Sequence, residues 1–189
     1  MINKINDGTN FKAKIITSIH TPKAQRLKNI SEMFEEATKQ YKKDSLYLTK
    51  GHYSGVMSIH TNNQKKGDIF EGEEIFTDSL EEHFETMTDK EIVSKLTNAF
   101  KVLRLSGITK DVKFEIKEQK QKLQRNLAIA KRLRSIGRDN FAEKYELFAK
   151  FNQEKLDKLY PKLNNLKDSF FKQREKSAKE FPEVGQVDI

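Results

Sequence analysis

The feature of this 189-residue sequence that most constrains its fold is an apolar stripe near the C-terminal end. Large apolar side chains, with one asparagine among them, recur there at steps of three and four residues. The average step is about 3.6 residues, which is the period of a straight α-helix. The stripe consists of Phe141, Tyr145, Phe148, Asn152, Leu156, Leu159, Leu163, Leu166 and Phe170. It predicts an amphipathic helix over about residues 140–180.

Pro161 interrupts this helix without changing the phase of the stripe. Proline lacks a backbone donor and clashes with the preceding turn, so it ends or kinks a helix. The sequence leaves two interpretations: one long helix that is kinked at Pro161, or a new helix that begins with Pro161 in its first position. We favour a kink or a tight break, because no gap of loop length separates the two parts of the stripe.

A thinner apolar stripe precedes this helix and predicts the first helix of a hairpin. Its members are Val112, Ile116, Leu123, Leu127 and Ala130. Gly137 follows at the position where a left-handed glycine commonly closes a helix. We therefore predict a helical hairpin over residues 110–180 and a loose tail over residues 181–189. The aromatic start of the longer stripe is interpreted as core packed on the first helix; it comprises Phe141, Tyr145 and Phe148, with Phe151 beside them.

The N-terminal half alternates between strand and helix patterns. Short runs with alternating or β-branched apolar residues predict strands over residues 11–19, 46–49, 56–60 and 69–77. A spacing of three and four predicts a helix over residues 22–42. Thr88 and Glu91 have the spacing of a capping box and begin another helix, which we expect to stop near Gly107. The predicted fold class is α+β: a small antiparallel sheet (β-α-β-β-β-α) over residues 10–107, followed by the long C-terminal helical hairpin.

Positive charge is concentrated in the C-terminal half of the chain. The net charge is +8, and the first predicted hairpin helix carries a run of cations over residues 113–134. A basic helix can track phosphates and release their counterions. The candidate polyanion contacts are Lys113, Lys117, Lys120, Lys131, Arg132 and Arg134. The alternative is a solvated face whose lysine stems cover apolar surface. Few aromatic residues lie on this helix, so base stacking is not predicted.

The sequence contains no recognisable catalytic, nucleotide-binding or metal-binding motif. It has no cysteine, which excludes disulfides and cysteine-based metal sites. The histidines are His20, His52, His60 and His83, and none has the helical spacing of a zinc motif. The acidic residues between Glu71 and Glu85 are interpreted as edge protection and helix-start charge, with docking onto the basic hairpin as an alternative. We predict no catalytic residue, no cofactor and no bound metal.

The sequence shows no signal for a membrane or for secretion. The first twenty residues lack an apolar core of signal-peptide length, and no window approaches the roughly 18 apolar residues of a membrane span. No lipidation motif is present. Together with the absence of cysteine, this leads us to expect a cytoplasmic protein.

The main functional signal is an imbalance between the two predicted hairpin helices. The second helix, over 140–180, is longer than the first, over 112–136. The apolar stripe on its distal part therefore needs another surface to cover it. We expect a protein partner or a homo-oligomer, with contacts at Leu156, Leu159, Leu163, Leu166, Phe170 and Phe171. The leading hypothesis is a non-enzymatic protein-interaction or assembly module. The alternatives are sequence-nonspecific nucleic-acid or ribosome binding through residues 113–134, and an enzyme in the N-terminal domain that would place His52 or His60 beside carboxylates.

Overall fold

The computed structural model describes residues 14–17, 24–41, 45–50, 57–61, 74–77 and 85–189. In chain order the elements are β1 (Lys14–Thr17), α1 (Ala24–Ala37), β2 (Ser45–Lys50), β3 (Met57–Thr61), β4 (Glu74–Thr77), α2 (Asp89–Ser135), α3 (Asp139–Ala178) and a 3-10 helix, η1 (Pro182–Gln186). The chain divides into two compact units. The first unit contains residues up to Arg104 together with Gln173–Asp188, and the second unit contains Leu105–Lys172 with Ile189.

The four strands are short and pair in both directions. β1 runs parallel to β2, with Ile15 opposite Leu46. β2 and β3 are antiparallel, as are β3 and β4, and Ile59 lies opposite Leu48 on one side and Ile75 on the other.

The predicted fold class is wrong, because helix dominates the described residues and their short strands do not form the purely antiparallel sheet on which the prediction rested. The described chain is dominated by helix: α2 and α3 have 47 and 40 residues, whereas the strands have between 4 and 6. The pairing of β1 with β2 is also parallel rather than antiparallel. The physical reason is α1, since a helical crossover returns the chain to the same end and sets the next strand parallel to the first.

In the first unit, α1 packs on the beginning of α2 through aromatic side chains. Ile30, Phe34 and Phe100 are completely buried. The rings of Phe34 and Phe100 meet edge to face with centroids 5.5 Å apart, and Tyr41 meets Phe100 at 5.6 Å. The guanidinium of Arg104 lies 4.8 Å from the Tyr41 ring, so the polar edge of this cluster is covered by a cation.

The N-terminus of α2 has the predicted capping box. The Thr88 amide donates to the Glu91 carboxylate at 2.8 Å, and the Glu91 amide donates to the Thr88 hydroxyl at 3.4 Å. The Thr88 amide and hydroxyl both donate to the Glu91 carboxylate, and these two hydrogen bonds hold the pKa of Glu91 below its ordinary value. Arg26 of α1 donates to Asp89 at 2.7 Å and to the carbonyl of Met87, which ties α1 to this helix start.

The prediction that this helix stops near Gly107 is wrong, because α2 continues without interruption from Asp89 to Ser135. One glycine inside a helix costs only about 1 kcal/mol relative to alanine. No proline follows it, and apolar side chains are buried on both sides of it, including Leu103 and Val112. The predicted domain limits of 10–107 and 110–180 stay a prediction.

The long helical hairpin is confirmed. The turn between α2 and α3 is closed by Gly137, which has a φ of 72°. The Gly137 amide donates to the Arg134 carbonyl at 3.1 Å, and the Arg138 amide donates to the Leu133 carbonyl at 3.0 Å. This pair of hydrogen bonds is a Schellman motif, in which a left-handed residue satisfies the last carbonyls of a helix. α3 continues through Pro161, so no second helix begins there.

In the second unit, apolar side chains of both helices form the hairpin core. Val112 and Ile116 of α2 pack with Leu156, Leu159 and Leu163 of α3, and Leu123 and Leu166 cover this cluster from its edges. Burying a leucine or isoleucine side chain contributes about 1.5–3 kcal/mol, so this cluster stabilises the hairpin.

The predicted imbalance between the hairpin helices does not occur. The first helix was expected to begin near residue 112, but α2 begins at Asp89 and is the longer of the two. The distal stripe was predicted to lack a covering surface because the preceding helix was predicted to end near Gly107.

Residues 181–189, which were predicted to form a loose tail, include η1 and three buried apolar side chains. Phe181 and Val184 are completely buried, and Val187 is nearly so. Their spacing of three residues places them on one face of a 3-10 helix, which has three residues per turn. The Arg174 guanidinium also donates to the Val187 carbonyl at 3.0 Å.

Across the described ranges, no helix combines the length and the apolar character that crossing a membrane requires.

Candidate interaction surface on the hairpin

The residues predicted to contact a protein partner are mostly covered by the chain itself. Leu156, Leu159 and Leu163 are buried in the hairpin core, and Leu166 is half-buried against it. Phe170 is completely buried, and the neighbouring Phe171, which meets it edge to face at 5.4 Å, is 45% exposed. The assignment of these six residues to a protein contact stays a prediction.

The predicted polyanion contacts all lie on α2, but their surroundings differ. The Lys120 ammonium lies 5.4 Å from the Tyr160 ring. Lys113 is half-buried, whereas Lys117, Lys131 and Arg132 are exposed.

Arg134, the last residue of this predicted set, is already engaged within the hairpin. Its guanidinium donates two hydrogen bonds of 2.8 Å to the Glu146 carboxylate. It also lies 3.5 Å from Asp139. The hydrogen bonds from Arg134 hold the pKa of Glu146 below its usual range and raise that of Arg134. The charge of Arg134 is therefore matched by carboxylates of α3.

The aromatic beginning of α3 is not the core that the sequence predicted. Phe141, Phe148 and Phe151 are 60%, 44% and 56% exposed, and only Tyr145 among the four is half-buried. The buried positions in this part of α3 are Ala142, Ala149 and Asn152. The bulky rings therefore lie at the edge of the helix, because small side chains occupy the face that is turned inward.

These rings help to form a groove between the two helices of the second unit. The groove has a volume of about 320 Å³. We call it the basic-aromatic groove; its lining residues are Lys122, Arg125, Asn126, Ile129, Tyr145, Phe148, Phe151 and Asn152. The first four come from α2 and the last four from α3. The described residues of this lining include two cations and no carboxylate.

Two further lysines stand over the aromatic rings of the groove. The Lys155 ammonium lies 4.6 Å from the centre of the Phe151 ring, and the Lys144 ammonium lies 6.0 Å from that of Phe148. Tyr145 meets Phe148 edge to face at 6.0 Å. Cation–π contacts of this kind hold positive charge close to an apolar surface. The groove is thus apolar at its base and positively charged along its rim.

The sequence predictions did not include this combination, because each helix was considered by itself. α2 supplies cations with few aromatic residues, and α3 supplies aromatic residues outside its buried face. The signal was present in the spacings: Lys122, Arg125 and Ile129 share one flank of α2 at steps of three and four. Only the pairing of that flank with the aromatic edge of α3 forms the groove.

The possible catalytic and metal-binding residues are only partly within the described ranges. His60 lies in β3, opposite Tyr47 and Glu74 in the strand register. His20, His52 and His83 lie outside the described residues, as does most of the acidic stretch between Glu71 and Glu85. Among the residues that the structure does describe, no three histidine, aspartate or glutamate side chains are grouped in a way that could hold a metal ion.

Comparison with known proteins finds no family model, no curated protein and no solved structure that matches this chain.

Proposed function

We propose that this chain is a non-enzymatic protein-interaction module whose contact surface is the basic-aromatic groove and the apolar side chains beside it. The observation that carries this proposal is the exposure of large apolar residues on the first turns of α3, where Leu147 is 65% exposed and Phe151 is 56% exposed. Clustered exposed apolar side chains mark interaction sites, since they are costly to leave in water. Aromatic and arginine side chains are also the residues that most often dominate binding energy at protein interfaces.

The basic-aromatic groove suits this role better than the distal stripe of α3. Leu156 and Leu159 already bury their side chains in the hairpin core, so a partner could reach them only if the hairpin opened. The side chains of Phe148 and Phe151 are 44% and 56% exposed while the hairpin is closed. Binding at the groove therefore avoids the free-energy cost of exposing a core.

The proposal can be tested with a photo-crosslinking amino acid placed at position 151 in cells that express the chain natively. The matched control places it at Gln153, which is exposed on the other edge of α3. We expect position 151, but not position 153, to crosslink to a discrete protein. That protein is then purified, and its dissociation constant for the chain is measured by calorimetry.

In the calorimetric experiment, replacing Phe148 and Phe151 together by serine is expected to weaken binding by at least about tenfold. The circular dichroism of the variant should stay unchanged, because neither side chain belongs to the hairpin core. Equal crosslinking at positions 151 and 153, or an unchanged dissociation constant for the double variant, would contradict the proposal.

A second candidate function, sequence-nonspecific nucleic-acid binding, is favoured by one observation. Lys122 and Arg125 lie in the same groove as the rings of Tyr145 and Phe148, which combines phosphate-binding cations with surfaces for base stacking. This candidate predicts binding of a labelled single-stranded oligonucleotide with an affinity that falls steeply as salt rises. No change in fluorescence anisotropy at low salt would exclude it.

A further inference from the structure

We infer that the partner segment recognised by the basic-aromatic groove is an acidic amphipathic helix, which lays its apolar stripe along the groove and its carboxylates along the rim. This inference rests on the proposed function and adds the chemistry of the partner. It is carried by three observations: the charge of the lining, the length of the groove, and the distribution of the other cations on α2.

The lining of the groove carries positive charge that no carboxylate of the lining balances. Lys122 and Arg125 both line it, and the described residues of the lining include no carboxylate. Arg134, farther along the same helix, is by contrast held by Glu146 at 2.8 Å. Two cations beside an apolar surface favour a ligand with negative charges flanking its apolar side chains, because opposite charges set the orientation and the specificity of an interface.

The length of the groove fits about two turns of a helix. Its lining runs from Lys122 to Ile129 on α2 and from Tyr145 to Asn152 on α3, which is eight residues, or seven helical rises, on each side. At 1.5 Å per residue each side is about 10 Å long. Apolar residues at positions i and i+7 of a partner helix are the same distance apart, and those at i+3 and i+4 fall between them. The volume of about 320 Å³ is enough for a few such side chains.

A single strand of nucleic acid fits the groove less well than a helix. A strand needs a continuous track of cations for its phosphates. The basic residues of α2 are divided between two flanks, however: Lys122 and Arg125 line the groove, whereas Lys120 lies over Tyr160, which does not line it. The Phe151 ring is also contacted by the Lys155 ammonium of the chain itself, which competes with a stacking base.

A second copy of the chain is a poor occupant for a symmetric contact. A two-fold axis would place one groove against the other, since both partners use the same surface in such an interface. Lys122 and Arg125 of one copy would then face the same cations of the other, and like charges at short distance repel.

The test uses the full chain and a small panel of designed helical peptides, each of about 18 residues. The peptides carry leucine or phenylalanine at i, i+3 or i+4, and i+7, with glutamates on both sides. A matched panel keeps the apolar stripe and replaces the glutamates by lysines, and a single-stranded oligouridine is the third probe. Binding is measured by fluorescence anisotropy, and sedimentation velocity gives the mass of the species present.

We expect at least one acidic peptide to bind as a one-to-one complex, and the lysine peptides to bind at least about tenfold more weakly. The double variant K122E and R125E should bind the acidic peptide at least about tenfold more weakly than the unmodified chain does. The control double variant K113E and K117E makes the same change in net charge outside the groove lining. It should weaken binding of the acidic peptide by less than about threefold. Both variants should keep the circular dichroism spectrum of the unmodified chain.

Several results would overturn the inference: no acidic peptide binding up to about 1 mM, equal losses in the two charge-reversal variants, or a groove that binds oligouridine in competition with the peptide. Self-association that K122E and R125E abolish would also overturn it, because the groove would then be an interface between copies. These failures differ from failure of the proposed function. If position 151 crosslinks to a discrete protein and no acidic peptide binds, the proposed function stands and only the partner chemistry is wrong.

Discussion

At the scale of single residues, two glycines of the hairpin have opposite consequences for stability. Gly137 has a φ of 72° and closes α2 through a Schellman motif, in a backbone region that other residues occupy only at a cost. Gly107 lies inside α2. Because glycine is more flexible than other residues in the unfolded chain, fixing it in a helix costs more conformational entropy. A methyl group added at either position would meet no atom within 4 Å. The effect of adding it therefore differs between the two positions only because their backbone conformations differ.

This contrast predicts opposite effects of the same substitution. Gly137→Ala should lower the free energy of unfolding by about 1–2 kcal/mol, because the left-handed conformation costs an L-residue about that much. Gly107→Ala should raise it by about 0.5–1 kcal/mol. Urea unfolding followed by circular dichroism measures both values. A stabilising Gly137→Ala would mean that the turn after α2 has another conformation.

At the scale of elements, the hairpin is stabilised by the side-to-side packing of two long helices. The stripe of α3 predicted from its period is the buried face only from Asn152 onward, where Leu156, Leu159 and Leu163 pack with α2. Before Asn152 the inward positions are occupied by alanines, and the large side chains lie outside. One helix thus has a part whose large apolar side chains are buried and a part whose large apolar side chains are exposed.

A pair of leucines on α3 tests this division. Leu159 is buried in the hairpin core, whereas Leu147 is 65% exposed. Leu159→Ala should lower the free energy of unfolding by about 2–5 kcal/mol, since it leaves a cavity. Leu147→Ala should change it by less than about 0.5 kcal/mol. Equal effects in chemical denaturation would show that α3 does not present these faces.

At the scale of the whole molecule, the first compact unit joins both ends of the described chain. The last residues of α3 and η1 belong to it together with the start of α2. The Asn98 amide donates to the Glu180 carboxylate at 2.9 Å, and the Lys95 ammonium donates to the Glu180 carbonyl at 3.0 Å. The same ammonium lies 5.2 Å from the Phe181 ring, which is completely buried. Residues after α3 are therefore a structural part of this unit.

Loss of the Phe181 ring should destabilise the first unit strongly. Phe181→Ala is expected to lower its free energy of unfolding by about 3–5 kcal/mol, the usual cost of emptying a buried aromatic site. Gln186→Ala, at an exposed position of the same 3-10 helix, is the control and should change it by less than about 0.5 kcal/mol. Hydrogen exchange of the α1 amides reports the stability of this unit. If the α1 amides exchange at the same rate in the two variants, Phe181 does not belong to the core of the first unit.

The sequence by itself determined the features that depend on a few neighbouring residues. The helical period of α3, the capping box of Thr88 and Glu91 and the closing role of Gly137 were all predictable, because hydrogen bonds and backbone angles within one or two turns decide them. Tertiary structure decided whether α2 would continue through Gly107, that β1 would pair parallel with β2, and which face of α3 would be buried. Those outcomes depend on apolar surface from distant segments, whose burial outweighs local preferences of about 1 kcal/mol. The basic-aromatic groove belongs to the second group, since neither helix contains it alone.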